Sequence, residues 1–208
     1  MAAFVFIVGS IVGSFLNVVL LRKNTGESVV KDGSRCFSCG KKLRALEMMP
    51  ILSFVLQGGK CRSCGSRISL QYPIVEILAG CLALAVYLRV DSVLLWAYYF
   101  AAFSLLFLIA AYDFKNQIID THFLYAFSFF AAVEFLTRNP PAGGFADDLA
   151  SSFFIALFFY FLWLFSQGRW MGRGDADLAF GSALFLGFPL NLAMLFFAFW
   201  LGGVVGSM

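Results

Sequence analysis

Met1-Ala-Ala-Phe-Val-Phe-Ile-Val-Gly-Ser-Ile-Val-Gly-Ser-Phe-Leu-Asn-Val-Val-Leu-Leu21 runs without a charged side chain and stops on Arg22-Lys23. About 20 apolar residues suffice for a helix to cross the hydrocarbon core of a bilayer. A cleaved signal peptide begins with a basic region and ends at a small-residue cleavage site. This stretch has neither, and its Arg-Lys end suits a cytosolic anchor, so it is read as a retained membrane span. The rest of the chain repeats the pattern. Ser92 to Tyr112, Leu149 to Gly168 and Leu178 to Met208 are free of Asp, Glu, Lys and Arg, and Pro189-Leu190-Asn191 divides the last of them. Pro73 to Val90 carries only Glu76 and Arg89, and Thr121 to Thr137 only His122 and Glu134, near the ends of each run. Six spans and a seventh from Asn191 onward follow. The expected fold is an all-α polytopic membrane protein of about seven transmembrane helices. β-barrel strands would alternate apolar and polar residues, and these runs do not.

Composition agrees. Of 208 residues, 61% are hydrophobic and 13% charged, with 27 Phe; the mean hydropathy is +0.86. Soluble domains are nearer half apolar and a quarter charged, so a cytosolic globular enzyme, a disordered chain and a secreted disulfide scaffold are excluded. The basic residues set the orientation. Of the 15 Lys and Arg, ten (Arg22, Lys23, Lys31, Arg35, Lys41, Lys42, Arg44, Lys60, Arg62 and Arg67) fall between the first two spans. Basic loops stay in the cytosol. With the N-terminus outside, Lys115, Arg169 and Arg173 also lie inside, and only Arg89 and Arg138 outside. The net charge of +3 is thus a topology signal, and no nucleic-acid partner is expected.

Residues 22–72 form a soluble insert between the first span, 1–21, and the remaining membrane region, 73–208. The insert holds Cys36-Phe-Ser-Cys39-Gly40 and Cys61-Arg-Ser-Cys64-Gly65. Two CxxC pairs on tight turns suit a zinc ribbon or knuckle, in which four thiolates close a tetrahedron around the metal. Two disulfides or four unrelated thiols are the competing readings, and a cytosolic location disfavours disulfides. So short a segment builds little core of its own, and a metal substitutes for one. Such a site is structural, with no open position for catalysis. Cys81, inside the second span, is read as a small packing residue.

Carboxylates near spans are rare because burying charge is costly. Two groups stand out: Asp113-Phe-Lys-Asn-Gln-Ile-Ile-Asp120, after the third span, and Gly172-Arg-Gly-Asp175-Ala-Asp177, before the sixth. The topology puts both on the cytosolic side. Two carboxylates converging on one water can hydrolyse a peptide bond: one takes a proton from the water, and the other, kept protonated by repulsion, polarises the carbonyl. Glycines beside the second group, Gly172 and Gly174, would let a substrate backbone approach. Solvated loop aspartates are the bland alternative. With His122 as the only histidine, a metalloprotease built on several histidines is excluded. Asp175 and Asp177 point roughly 200° apart on a helix and cannot share one site; the flanking glycines favour Asp175.

In combination, these stretches resemble the type IV prepilin peptidases, a branch of the GxGD intramembrane aspartic proteases. Gly13-Ser-Phe-Leu-Asn-Val-Val19 matches the family's opening motif. The paired CxxC motifs, Pro50-Ile-Leu-Ser-Phe54, Gly59-Lys-Cys-Arg-Ser-Cys-Gly65, Tyr72-Pro-Ile-Val-Glu76 and Gly172-Arg-Gly-Asp175 follow in the family's order. The resemblance makes Asp113 and Asp175 the catalytic pair. The family's Pro between Ile119 and Asp120 is missing, and Asp177 stands where a Lys is usual. Family members continue through a further helix after a stretch like Ala198 to Met208, so Gly202-Gly-Val-Val-Gly206 reads as a truncated span. The resemblance implies an enzyme of the bacterial inner membrane. It would cut basic leaders from prepilins or pseudopilins at the cytosolic face, after a glycine, and methylate the new N-terminus with S-adenosylmethionine. No Gly-rich Rossmann loop is present for that cofactor; Glu47, Arg62 and Glu76, in or beside the insert, are candidates, with loop salt bridges as the equal alternative. Other GxGD proteases such as presenilin or signal peptide peptidase, a transporter with a structural zinc knuckle, and a redox role for the CxxC pairs are the rivals. The CxxC insert disfavours the first, and polar groups gathered at span ends disfavour the second.

Overall fold

A computed structural model describes residues 1–23, 25–29, 32–138 and 144–206, the last four by backbone only. Lys31 of the basic tally, and Ser207 and Met208 at the chain end, lie outside the described residues. The described chain is helical, without a named strand: α1 (Ala2–Arg22), a 3-10 turn (Ala45–Glu47), α2 (Leu52–Leu56), α3 (Gln71–Tyr87), α4 (Val93–Asn116), α5 (Thr121–Thr137), α6 (Gly144–Ser166), α7 (Arg173–Leu186) and α8 (Leu190–Gly206). The seven long helices fall on the seven apolar runs. Three of them, α1, α4 and α6, are long and apolar enough to cross a membrane, whereas α3, α5 and α8 are shorter apolar helices. The residues group into two compact units, Met1–Ser104 and Leu105–Met208.

In the first unit α1 packs along α3, and small residues set the distance. A Cβ on Gly9 would lie 2.5 Å from Ala83 Cβ; one on Gly13 would lie 2.8 Å from Ala79 Cβ and 2.9 Å from Glu76 Cα; one on Gly80 would lie 2.7 Å from Ser10 Oγ. In lipid, where apolar burial drives little association, such close approach lets dispersion hold helices together. Val5, Ala83 and Phe100 form a core cluster here. The Trp96 indole N–H donates to Ala83 O at 3.0 Å. Asn17, fully buried, donates to Tyr72 O at 3.2 Å and fastens the start of α3 to α1. Gly13→Val is expected to cost about 1–3 kcal/mol through overpacking. A lowered unfolding temperature of the detergent-solubilised protein checks this, with Gly33→Ala as control, where a Cβ meets nothing within 4 Å.

In the second unit the shortest long helix is the centre. α7 packs against α5, α6 and α8 and buries Ala176, Ala179, Gly181, Ala183, Leu184 and Phe185. Its neighbours screen it, so it needs less apolar character than they do. At the end of α7 away from Asp175, polar groups tie the helices together. The Arg138 guanidinium lies 3.5 Å from both Glu134 and Asp148 and donates to Phe185 O. Asp148 Oδ1 accepts the Phe188 N–H at 2.7 Å, and Asn191 Nδ2 donates to Ser151 Oγ at 2.7 Å.

α7 begins at Arg173, so Asp175 and Asp177 stand in its first turns. One expectation shifts: Cys81 is exposed on α3 rather than packed.

Candidate functional site

The insert is built from one hairpin used twice. Cys36 N–H donates to Lys41 O, Gly40 N–H to Cys36 O, and Leu43 N–H to Ser34 O; 25 positions on, Cys61, Gly65 and Ile68 make the same bonds to Ser66, Cys61 and Gly59. Isolated antiparallel bridges, Arg35 with Lys42 and Lys60 with Arg67, close the two loops. Gly40 and Gly65 take φ of 71° and 70°, which only glycine adopts without strain. Each turn aims two sulfurs at the other, and all four Sγ atoms lie within 4.8 Å of one another. A tetrahedral site with Zn–S bonds of about 2.3 Å needs sulfurs about 3.8 Å apart; Cys36 and Cys64 stand at 3.9 Å. The donor set therefore fits zinc. Backbone N–H groups of Cys39 and Ser38 lower the Cys36 thiol to about 6, so this thiolate is available at neutral pH. Cys39 has the Lys41 N–H favouring its thiolate, yet burial and the adjacent sulfurs push it up to about 11.

Arg22 ties the insert to α1. Read from the sequence as a simple anchor, it is buried at 9% exposure. It donates to the carbonyls of Ser28 (2.8 Å), Asp32 (2.6 Å) and Gly33 (3.1 Å) and pairs with Glu27 at 3.5 Å. Between the end of α1, the start of α3 and the insert lies a cavity of about 450 Å³, within the range of small-molecule sites. Glu47 and Glu76 line it; Arg62 is not among its described lining residues.

The carboxylates belong to the second unit. Asp113 stands on the last turn of α4, where its carbonyl accepts the Gln117 N–H at 2.7 Å. Asp175 occupies the third position of α7, and its Oδ2 accepts the Gly172 N–H at 2.7 Å, the carboxylate half of a capping box at the helix start. Burial raises the proton affinity of Asp175, the Gly172 N–H opposes this, and the charge on Asp113 raises it further. The two side chains are thus near enough to sense each other. Gly174 stands where a Cβ would come within 3.1 Å of Ile119 Cβ. Its lack of a side chain lets the segment after Asp113 lie against the start of α7. Asp120 caps α5, accepting the His122 N–H at 3.0 Å. Asp177 is exposed and its neighbour Ala176 buried, as expected if it faces away from Asp175. Arg22, the cap made by Asp120 and the Gly174–Ile119 contact escaped the sequence reading; of the three, only the Asp120-Thr-His122 helix start carries a local signal.

Compared with known proteins, residues 7–90 match the bacterial peptidase A24 N-terminal domain and residues 100–207 the type IV leader peptidase family. The relatives that carry the name prepilin leader peptidase/N-methyltransferase include three that cover most of the chain. That of Myxococcus xanthus is 34% identical over 99% of this chain and 62% of its own length. That of Bacillus subtilis is 32% identical over 100% of the chain and 81% of the relative, and that of Vibrio cholerae 33% over 83% and 72%. The chain thus spans less than two thirds of the Myxococcus relative. No solved structure matches.

Proposed function

The chain belongs to the type IV leader peptidase family, and from that membership we propose that it is an inner-membrane aspartic endopeptidase that removes basic leaders from prepilins or pseudopilins. The observation that carries this reading is Asp175, held at the start of α7 with its proton affinity raised by burial and by Asp113. In this mechanism Asp113 takes a proton from water as the water oxygen bonds to the scissile carbonyl carbon. Asp175 gives its proton to the carbonyl oxygen. Collapse breaks the C–N bond: the proton on Asp113 leaves with the new amine, and a hydroxyl of the tetrahedral diol returns its proton to Asp175, which leaves a carboxylic acid and restores the pair. Gly172 holds Asp175 through its N–H, and Gly174 keeps the segment after Asp113 close. The substrate's apolar stem stays in the bilayer while its basic leader remains in the cytosol, as Arg22 and Lys23 do.

The proposed organisation is seven spans with the N-terminus outside, a first span over 1–21, a cytosolic insert over 22–72 and a protease region over 73–208. Cys36, Cys39, Cys61 and Cys64 hold a structural zinc, which braces the insert. S-adenosylmethionine, when bound, supplies a methyl group for the new N-terminus; the cavity beside the insert, mainly apolar with Glu47 and Glu76 on its wall, would receive it.

The test uses the purified full chain in nanodiscs and a synthetic substrate of basic leader, glycine and apolar stem. Mass spectrometry should show leader loss and one added methyl. Intact, folded protein that leaves the leader in place overturns the peptidase reading. A stemless peptide should be cut at least roughly tenfold more slowly, because remote binding energy is lost. Cleavage should also fall as pH rises through the raised value of Asp175, since the proton that polarises the carbonyl is then gone. In Asp113→Asn the infrared carboxyl band of protonated Asp175 should titrate at lower pH, because one of its two raising influences has been removed. An unmoved band would mean that the carboxylates do not interact.

A further inference from the structure

The cavity of the first unit is lined by three carboxylates, Glu27, Glu47 and Glu76. Two are already matched with cations: Glu27 pairs with Arg22 and Arg35, and Glu47 with Lys41 at 3.5 Å. Glu76 is different. It is 6% exposed. Its Oε2 accepts the Ile51 N–H at 2.7 Å, and Ser14 of α1 shares the cavity wall with it. Arg22, Arg35 and Arg67 share the lining, but Arg22 and Arg35 pair with Glu27, and among the described residues no ion pair joins Arg67, or any other cation, to Glu76. A buried carboxylate without a paired cation loses hydration that a cationic ligand would recover.

We propose that Glu76 is the receptor for the new N-terminal ammonium group of the cleaved product, and that the cavity around it is the chamber in which that nitrogen is methylated. The proposal rests on the methylation reading above. Position selects the product's amine over the methyl donor. Glu76 lies in the second turn of α3 beside Gly13 and Ser14 of α1, at the helix end of the cavity, whereas Glu27 and Glu47 belong to the insert. A cleaved product keeps its apolar stem in the bilayer, so its amine arrives from the helix side. A soluble donor arrives from the insert side. Phe15, Val18, Phe54 and Tyr72, also on the lining, offer an apolar surface for the side chain next to the amine. An α-ammonium group titrates near 8, and only its neutral form attacks. Glu76 takes the proton. The nitrogen lone pair then bonds to the methyl carbon of a sulfonium donor as the C–S bond breaks with its electron pair left on sulfur, and the positive charge passes to nitrogen.

The test begins without any donor. Fluorescent apolar-stem peptides, one with a free α-amine and one N-acetylated, are bound to the full chain in nanodiscs and followed by anisotropy. The free amine should bind at least roughly tenfold tighter, as expected for a buried charge-assisted hydrogen bond, and Glu76→Gln should erase the difference. With donor present, Glu76→Gln should raise KM for the pre-cleaved peptide while zinc content and affinity for S-adenosylhomocysteine stay at wild-type levels. Equal binding of the two peptides by wild-type protein overturns the proposal. So does a Glu76→Gln protein that keeps the preference while losing S-adenosylhomocysteine, which would place Glu76 in the donor site. If wild-type protein prefers the free amine yet never methylates it, the amine site stands and the methylation reading falls. Should Glu76→Gln lose its zinc through misfolding, the comparison of the two peptides on wild-type protein still decides.

Discussion

Asp113→Asn and Asp175→Asn each lower leader cleavage by roughly ten-thousandfold or more, the scale on which removal of one member of a catalytic unit acts. Asn preserves size and part of the hydrogen bonding, so the proteins should stay folded and keep metal on the four cysteines. What Asn cannot do is exchange the proton. At Asp175 the loss removes the proton given to the carbonyl oxygen, although the Asn oxygen still accepts the Gly172 N–H. At Asp113 the loss removes the group that takes the water's proton. The double variant should be no worse than either single one, because each change disables the same pair. Two neighbours serve as controls. Asp177→Asn alters an exposed side chain and should retain most of the activity. Asp120→Asn should do so as well, since Asn caps a helix about as well as Asp. Asp120→Ala, by contrast, should lower stability by about 0.5–2 kcal/mol through the lost bond to His122, with activity following stability. Methylation of an already cleaved product should survive all the Asn changes. Near-normal leader removal by Asp113→Asn would overturn the assignment and move the catalytic role to Asp120.

The helices were legible because each is specified by a run of its own apolar residues, and the knuckles because each hairpin closes within ten residues. The same hydrogen bonds at Cys36 and at Cys61 answer to the same local spacing of Cys, Cys and Gly. What stayed hidden depends on distant partners. The start of α7 lies five residues before its apolar run because helix-capping chemistry at Gly172 and Asp175, rather than hydropathy, sets it. Gly174 reads as a gap left for substrate, and the approach of Ile119 to it is invisible in the sequence. Arg22 reads as a topology charge, yet the carbonyls of Ser28, Asp32 and Gly33 converge on it, a fold-back that no periodicity announces. The motif marks where the two acids stand, but the raised proton affinity of Asp175 comes first from burial, and burial is a property of the packed unit.

Replacing Cys36 or Cys61 with Ser should release about one zinc per chain and unfold the insert while leaving the helices in place. The reason is the near absence of a core. Among the described residues from Lys23 to Leu70, Cys61 is the only buried one, so apolar burial contributes little to holding the segment. The two hairpins are too short to persist alone. Four thiolates around zinc supply an apparent binding free energy of about 10–16 kcal/mol in small metal-dependent domains, far more than the rest of this insert can provide. Without the metal, limited proteolysis should cut between Arg35 and Arg67, and the cavity wall that Cys36 and Cys61 help to form should be lost. Methylation should therefore fall much more than cleavage, because Asp113 and Asp175 sit in the other compact unit. Metal analysis of freshly reduced protein, proteolysis and the two activities read side by side check this. A reduced preparation without zinc, whose insert nevertheless resists protease, would show that the hairpins stand by hydrogen bonding alone and that the four cysteines are not a metal site.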